Sequence, residues 1–320
     1  MNDNPVNQSL VSVGIPTYNR PEELDQCLTL IRKQTYKNIE IIVSDNASEK
    51  SDIIEQVVNK HISEDSRIRF YQQEDNIGSI GNFRFVLEKA SADFFMWAAD
   101  DDELEFNYIE MLLPELKTTE EYGFVVSGYD VVDKMCNPPF KSDFTKYLHD
   151  IPAETAYKRM KNYILQPDYC GKSKILWSLH RTQLVKKAFE NVFVGLPVKD
   201  DTTWAELPVE FRLLSMCKLA VVDDVLFHAN LLPSSEGMRE GSLFNNREIE
   251  VCNRSFAAYT RAVVQSEHLS AKEKNRLIVL LKWEEFLSVS RMVVYGFIRR
   301  RSPTLARKIK KLWMSIVAGK

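Results

Sequence analysis

The stretch Phe94-Phe-Met-Trp-Ala-Ala99 is apolar on both faces of an extended chain and runs directly into Asp100-Asp-Asp-Glu103. A strand of that kind needs helices over both faces, so it belongs in the middle of a parallel sheet. The preceding segments agree. Leu10 to Ile15 reads as a strand ended by Pro16, Ile39 to Ser44 as a second strand and Ile68 to Tyr71 as a third. Between them, Glu22 to Gln34, the run through Ile53, Ile54, Val57 and Val58, and Asn82 to Lys89 carry apolar residues at helical spacing. Strand and helix alternate, which predicts an α/β fold with a mostly parallel central sheet flanked by helices. Further on, Phe124–Ser127 and Ile175–Leu179 read as short strands, Glu206–Met216 as a helix and Leu219–Phe227 as a strand pair. Glu248–Glu267 and Ala271–Arg291 read as long amphipathic helices, so the last quarter is nearly all helical.

In an open α/β sheet, ligands bind outside the carboxyl ends of the strands. Polar residues collect there: Pro16-Thr-Tyr-Asn-Arg20 after the first strand, Asp45-Asn46 after the second and Asp100 to Glu103 after the apolar one. Four acidic groups in succession repel and raise one another's pKa unless a cation compensates. Oxygen ligands favour Mg2+ or Mn2+, and Mg2+ is usually held by one or two carboxylates together with substrate phosphates. The plain alternative is a solvated acidic turn capping the helix that begins near Phe106.

Composition narrows the partners. The five cysteines (Cys27, Cys136, Cys170, Cys217 and Cys252) never fall in a Cys-x-x-Cys spacing, so neither a disulfide scaffold nor a zinc ribbon is suggested, and a reducing compartment fits. The first ten residues lack the basic start and apolar run of a signal peptide, and no stretch reaches about 18 apolar residues; a cytoplasmic protein is expected. Lys plus Arg number 42 against 45 Asp plus Glu, yet Arg299 to Lys320 holds eight basic residues and no acidic one. Leu305, Ile309, Leu312, Trp313, Ile316 and Val317 recur there at helical steps. The resulting basic amphipathic helix fits either a membrane surface or a terminal helix docked on the domain. Nucleic acid is not expected as a partner, because the rest of the chain is acidic.

Four runs, Val11-Ser-Val-Gly-Ile-Pro-Thr-Tyr-Asn-Arg20, Ile41-Ile-Val-Ser-Asp-Asn-Ala-Ser48, Asn76-Ile-Gly-Ser-Ile-Gly-Asn82 and Phe95-Met-Trp-Ala-Ala-Asp-Asp-Asp-Glu103, resemble the nucleotide-sugar domain of the family two inverting glycosyltransferases in order and spacing. Members of this kind build bacterial surface polysaccharides. The resemblance implies a GT-A domain over residues 9–235, followed by a helical region over 236–320. It implies transfer of one hexosyl or deoxyhexosyl group from a UDP-sugar, with dTDP- and GDP-sugars open, to a hydroxyl of a glycan or polyprenyl-linked oligosaccharide.

Carried over by position, the resemblance puts Pro16, Thr17, Tyr18 and Arg20 along the nucleotide, and Asp45 against the imide N–H of a uracil-type base. Asn76 and Gly78 match the loop over the nucleotide, although each also suits an ordinary turn. Asp100 would face the ribose and Asp102 would bind the metal; a register shift of one makes Asp101 the ligand. His228 falls where members present a His or Arg to the diphosphate or metal. For the general base, Glu206 is the first candidate and Asp201 its rival. Trp177, His180 and Arg181 fall along the acceptor cleft, or are a packing Trp and two surface residues. Ser44-Asp-Asn-Ala-Ser48 departs from the Asp-Asp-Gly-Ser that many members carry. A nucleotidyltransferase is disfavoured, since no Gly-rich basic phosphate loop follows the first strand. A non-catalytic sugar-nucleotide or membrane-binding module is the remaining alternative.

Overall fold

Four parallel strands carry the amino-terminal half: β1 (Val11–Thr17), β2 (Ile39–Asp45), β3 (Ile68–Gln72) and β4 (Phe94–Trp97), in the spatial order β3-β2-β1-β4. Parallel neighbours need crossovers, and α1 (Pro21–Arg32), α2 (Ser51–Glu64) and α3 (Gly78–Lys89) supply them. The computed structural model describes residues 9–133, 140–166, 172–190, 207–231, 246–302, 304, 305 and 308. Every residue of β1 and β4 is buried, as expected for strands covered on both faces.

The sheet continues from β4 through β8 (Leu179–Arg181), β6 (Tyr122–Asp133), β9 (Lys218–Leu231) and β5 (Glu103–Leu104), with β7 (Phe140–Asp143) paired to β6. Because β4 and β6 both run antiparallel to β8, and β9 runs parallel to β6, the strands β1 to β4, β6 and β9 share one direction. Their carboxyl ends define one edge. Around this sheet lie α4 (Tyr108–Lys117), α5 (Ala156–Leu165), α6 (Thr182–Phe189), α7 (Leu207–Met216), α8 (Asn246–Gln265) and α9 (Ala271–Arg301).

Several elements differ from the sequence reading, each for a local reason. Pro16 does not end β1. The Gly14 carbonyl accepts from Ala98 N–H, so Pro16 faces the β4 side of the strand, where pairing has stopped at Gly14–Trp97. A missing N–H costs nothing there. Ile175–Leu179 is not a strand: Lys172–Trp177 is a 3-10 turn, closed where Ser178 N–H donates to the Ile175 carbonyl at 3.2 Å, and β8 follows. The expected strand pair after Leu219 is one long strand, β9, and Asp223-Asp224 are the residues skipped where its register on β6 jumps from Val222 to Val225.

Trp97 anchors the core under the site. Its ring meets Phe95 edge-on at 4.7 Å and packs near Phe83 and His180, while Nε1–H donates to the Phe83 carbonyl at 3.1 Å. His180 is therefore neither a cleft residue nor a surface one. It is fully buried, its Nε2 lies 3.0 Å from the Leu176 carbonyl, and burial pushes its pKa down to about 4. Arg181 also packs inward, donating to the carbonyls of Tyr122, Leu116 and Thr119. Trp177 stacks on Phe227 at 6.3 Å. At the carboxyl end, Tyr259 of α8 meets Phe211 of α7 at 4.9 Å, and Leu277 and Leu281 of α9 are buried in the same core.

Gly14 leaves no room for a side chain: a Cβ there would lie 2.8 Å from Val86 Cγ2 and 2.9 Å from Phe95 Cζ. Gly14→Ala is expected to cost about 1–3 kcal/mol of stability through overpacking, read as a lower midpoint in chemical denaturation.

Candidate active site

Two loops at the carboxyl edge are fastened together before any charged group is considered. Asn19, after β1, takes a left-handed conformation (φ 58), and Ala47, after β2, does the same (φ 56). Asn19 N–H donates to Ser48 Oγ at 2.7 Å, Glu49 N–H donates to Asn19 Oδ1 at 2.8 Å, and Asn46 N–H donates to the Thr17 carbonyl at 3.1 Å. From α3, Asn82 Nδ2 donates to the Ser44 carbonyl at 2.9 Å while its Oδ1 accepts from Ser44 Oγ at 2.6 Å. Asn46 Oδ1 accepts from Ile77 N–H at 2.9 Å, and Asn76 Oδ1 accepts from Gly78 N–H at 2.8 Å. The first turn of α3 is thereby tied to the β2 loop. Gly78, at φ 78, sits where only glycine is comfortable.

The aspartates are placed against this frame by cations and donors from distant parts of the chain. Thr17 Oγ1 donates to Asp100 Oδ2 at 2.8 Å, and Arg20 Nη1 reaches Asp100 Oδ1 at 2.9 Å and Asp101 Oδ2 at 3.0 Å. Asp102 is held from the other side: its Oδ1 accepts Asn230 N–H of β9 at 2.9 Å, and its Oδ2 faces Lys174 Nζ at 3.6 Å. Asn230 Nδ2 also donates to the Asp101 carbonyl at 3.0 Å. Burial pushes Asp100 and Asp102 each up to about 6; Arg20 opposes the rise at Asp100 and Lys174 opposes it at Asp102, while the neighbouring Asp101 adds to both.

The donor set fits a divalent cation of the Mg2+ or Mn2+ type. Thr17 and Arg20 engage both oxygens of Asp100 and Arg20 also engages one oxygen of Asp101, which leaves Asp102 and the second oxygen of Asp101 to hold an ion. Among the described residues no group of three or more His, Cys, Asp or Glu is arranged as a metal cage. One or two carboxylates suit Mg2+, which completes its shell with water and phosphate oxygens.

The other expected residues have distinct places. Pro16 is buried in β1, whereas the Tyr18 ring is exposed at the edge. Asp45 is fully buried, and its carboxylate accepts from Ser48 N–H at 3.3 Å and from Ser48 Oγ, so in this conformation it braces the loop. His228 Nδ1 lies 2.8 Å from Asp130 Oδ1 and its Nε2 lies 3.0 Å from Glu105 Oε1. Both ring nitrogens face acceptor-only carboxylates. Glu206 and Asp201 lie outside the described residues; α7 begins at Leu207. Lys174 and Asn230, which grip Asp102, had no signal in the sequence, because they follow it by scores of residues and neither stands in a motif. Ser48 stood inside a quoted run, but its bond to Asp45 becomes visible only with the left-handed Ala47.

A family model described as glycosyl transferase family 2 matches residues 12–177. The chain is 36% identical over 199 residues to the GalNAc(5)-diNAcBac-PP-undecaprenol beta-1,3-glucosyltransferase of Campylobacter jejuni, covering 62% of this chain and 59% of that protein. It is 32% identical over 120 residues to glycosyltransferase GlyG of Streptococcus pneumoniae, covering 38% of this chain and 39% of that one. The chain thus spans less than two thirds of the length of these curated relatives. Among solved structures, S. aureus TarS 1-349 superposes with a TM-score of 0.60 at 16% identity, covering 90% of this chain and 80% of that one. The likeness extends to TarS 1-349 in complex with UDP-GlcNAc, with a TM-score of 0.59 at 16% identity over 87% of this chain and 72% of that one. The fold is GT-A.

Ala47 carries a left-handed strain of about 1–2 kcal/mol. Ala47→Gly should therefore raise stability by roughly 0.5–1 kcal/mol once the added freedom of the unfolded chain is subtracted, measured by thermal unfolding. Asp102 binds its proton more tightly folded than unfolded, so its ionisation lowers stability as pH rises from 3.8 towards about 6, with the full penalty present above that. In metal-free buffer, Asp102→Asn should be more stable than the parent by about 1–3 kcal/mol at neutral pH. That gain should shrink as pH falls through the folded pKa; a gain independent of pH would contradict the assignment.

Proposed function

This chain belongs to glycosyl transferase family 2, and from that premise we propose that it moves one sugar from a UDP-sugar to a hydroxyl of a lipid-linked glycan, with inversion at the anomeric carbon. One observation carries the reading: at the carboxyl edge of the sheet, Arg20 and Thr17 hold Asp100 while Asp102 turns an oxygen towards a lone ammonium group. That is a division of labour between a carboxylate fixed for a ribose hydroxyl and a carboxylate kept for a cation. UDP is favoured over dTDP and GDP because the TarS fold holds UDP-GlcNAc. A polyprenyl-linked acceptor is favoured because the Campylobacter relative is named for one. The product would enter surface polysaccharide assembly.

Asp102, with Asp101, would hold Mg2+ or Mn2+, which when bound supplies electrostatic stabilisation of the departing diphosphate. The chain's own residues do the rest. Tyr18 offers an exposed aromatic face to the base, and Asp45 keeps the loop beneath it in one conformation. Asn76 and Gly78 shape the start of α3 beside the nucleotide. Lys174 neutralises Asp102 in the free site and, on its flexible stem, can turn to a phosphate oxygen when donor enters. His228, between Asp130 and Glu105, orients the strand that delivers Asn230 to Asp102. Glu206, or Asp201 in its place, would remove the acceptor hydroxyl's proton on the face opposite the leaving group, as an inverting transfer requires. The basic residues from Arg299 to Lys320 would bring the enzyme to the inner membrane surface where such acceptors lie.

Calorimetric titration with UDP, dTDP and GDP, with and without Mn2+, tests the donor site. Metal-dependent UDP binding that weakens by at least about 100-fold in Asp102→Ala, roughly the worth of one charge-assisted metal contact, is the expected result. Absence of binding to all three nucleotides by the folded protein would overturn the proposal.

A further inference from the structure

The two sides of α9 differ in a way the fold does not use. Leu277 and Leu281 enter the core, while Val279, Trp283, Phe286, Val293, Val294 and Phe297 line the opposite side at helical steps, with Trp283 57%, Phe286 62% and Phe297 55% exposed. The Trp283 and Phe286 rings lie 6.0 Å apart, and the Arg301 guanidinium sits 4.9 Å from the Phe297 ring. A contiguous apolar stripe of this size on a folded domain marks an interaction surface.

Charge indicates what the surface meets. After Glu285 there is no acidic residue to the end of the chain, whereas Arg291, Arg299, Arg300, Arg301, Arg307, Lys308, Lys310, Lys311 and Lys320 are basic. The whole chain carries −3, so the first 285 residues carry −12 and the last 35 carry +9. Glu284, the acidic residue just before this region with a partner in reach, lies 3.8 Å from Arg291. A second copy seated on this face would set two cationic ends together with no acid from 286 onward to offset them. An anionic bilayer offers both an apolar interior and negative headgroups. The same helix also carries Lys282, Glu285 and Arg291, and no helix among the described residues is long and apolar enough to cross a membrane, so the helix would lie along the surface.

We propose that the Val279–Phe297 face of α9 is a membrane-docking surface: its aromatic and aliphatic side chains enter the boundary of an anionic bilayer while the arginines that follow meet the headgroups. This deepens the reading of a lipid-linked acceptor and rests on it for its purpose, since the acceptor's polyprenyl chain lies in that same surface. The membrane-facing side thus belongs to the helix before the basic tail, and the tail serves as its electrostatic partner.

The full chain would be sedimented with vesicles of phosphatidylcholine and with vesicles of phosphatidylcholine and phosphatidylglycerol in equal parts. Binding to the anionic vesicles, weakened by added salt, is expected. The Trp283→Glu, Phe286→Glu double variant should bind at least about tenfold more weakly through loss of buried apolar area. Replacing Arg299, Arg300 and Arg301 by Gln should cost on the order of 100-fold, at about fivefold for each basic residue. Both variants should keep the parent's melting temperature and UDP titration, since neither change touches the donor site. Quenching of tryptophan emission by brominated lipid, diminished in Trp283→Phe, reads the same contact without a charge change. Failure to bind anionic vesicles, or undiminished binding by the double variant, would overturn the docking surface while leaving the donor site standing. A concentration-dependent dimer abolished by the double variant would assign the face to a second copy instead. Loss of UDP binding in the parent would sink the enzymatic reading whatever the vesicles show.

Discussion

Arg20 between Asp100 and Asp101 is the contact on which the carboxyl edge of this sheet depends. A strand as apolar as β4 delivers three aspartates into a region from which water is largely excluded, and their mutual repulsion would spread them apart without a fixed cation. The guanidinium reaches two of them from one nitrogen, and Thr17 closes Asp100 from the other side. Thr17 ends β1, the strand hydrogen-bonded to β4, and Arg20 follows in the turn before α1, so sheet pairing brings the clamp close to its partners. Asp102 is treated differently, with one backbone donor and a more distant ammonium. Neighbouring identical residues are thus held unequally, Asp100 through both oxygens by side chains at the end of β1 and in the turn after it, and Asp102 by groups from distant parts of the chain.

The surrounding loops hold their shape through polar side chains rather than apolar packing. Asn19, Asn46, Asn76 and Asn82 each bridge two elements, and Ser48 ties Asp45 to its own loop. Amide side chains suit this because they donate and accept at once. The left-handed Ala47 is the strain that such a network sustains, and strain of this kind collects at functional sites because the surroundings over-determine the backbone. The same tendency appears at Asp100 and Asp102, whose pKa values burial raises because it disfavours their charged forms.

Much of the fold was legible because its signals are local. The strands β1 to β4 and the helices between them follow from apolar runs and helical spacing, and their polar ends locate the candidate site. Legibility fell where a long-range partner decides the local shape. Pro16 continues β1 because β4 has already ended beside it; Ile175 to Trp177 turn rather than extend; and the aspartates at 223 and 224 bulge out of a strand that no turn interrupts. His180 and Arg181 read equally well as surface residues, and only the packing of Trp97 and the carbonyls between the end of α4 and the start of β6 draw them inward.

By itself, the sequence determined the alternation of strands and helices, the edge at which chemistry collects, the four motifs that mark a sugar-nucleotide domain and the cationic end of the chain. Each of these is written in neighbouring residues, through periodicity, turn chemistry or charge density, and needs no knowledge of what lies opposite. The tertiary structure decided which partners each aspartate meets. It also decided that Asp45 and His228 face partners of their own, and that one side of α9 goes uncovered. The first depends on Lys174, Asn230 and Arg20 meeting Asp100 to Asp102, and, like the others, it rests on contacts between distant residues that have no signature until the chain has folded.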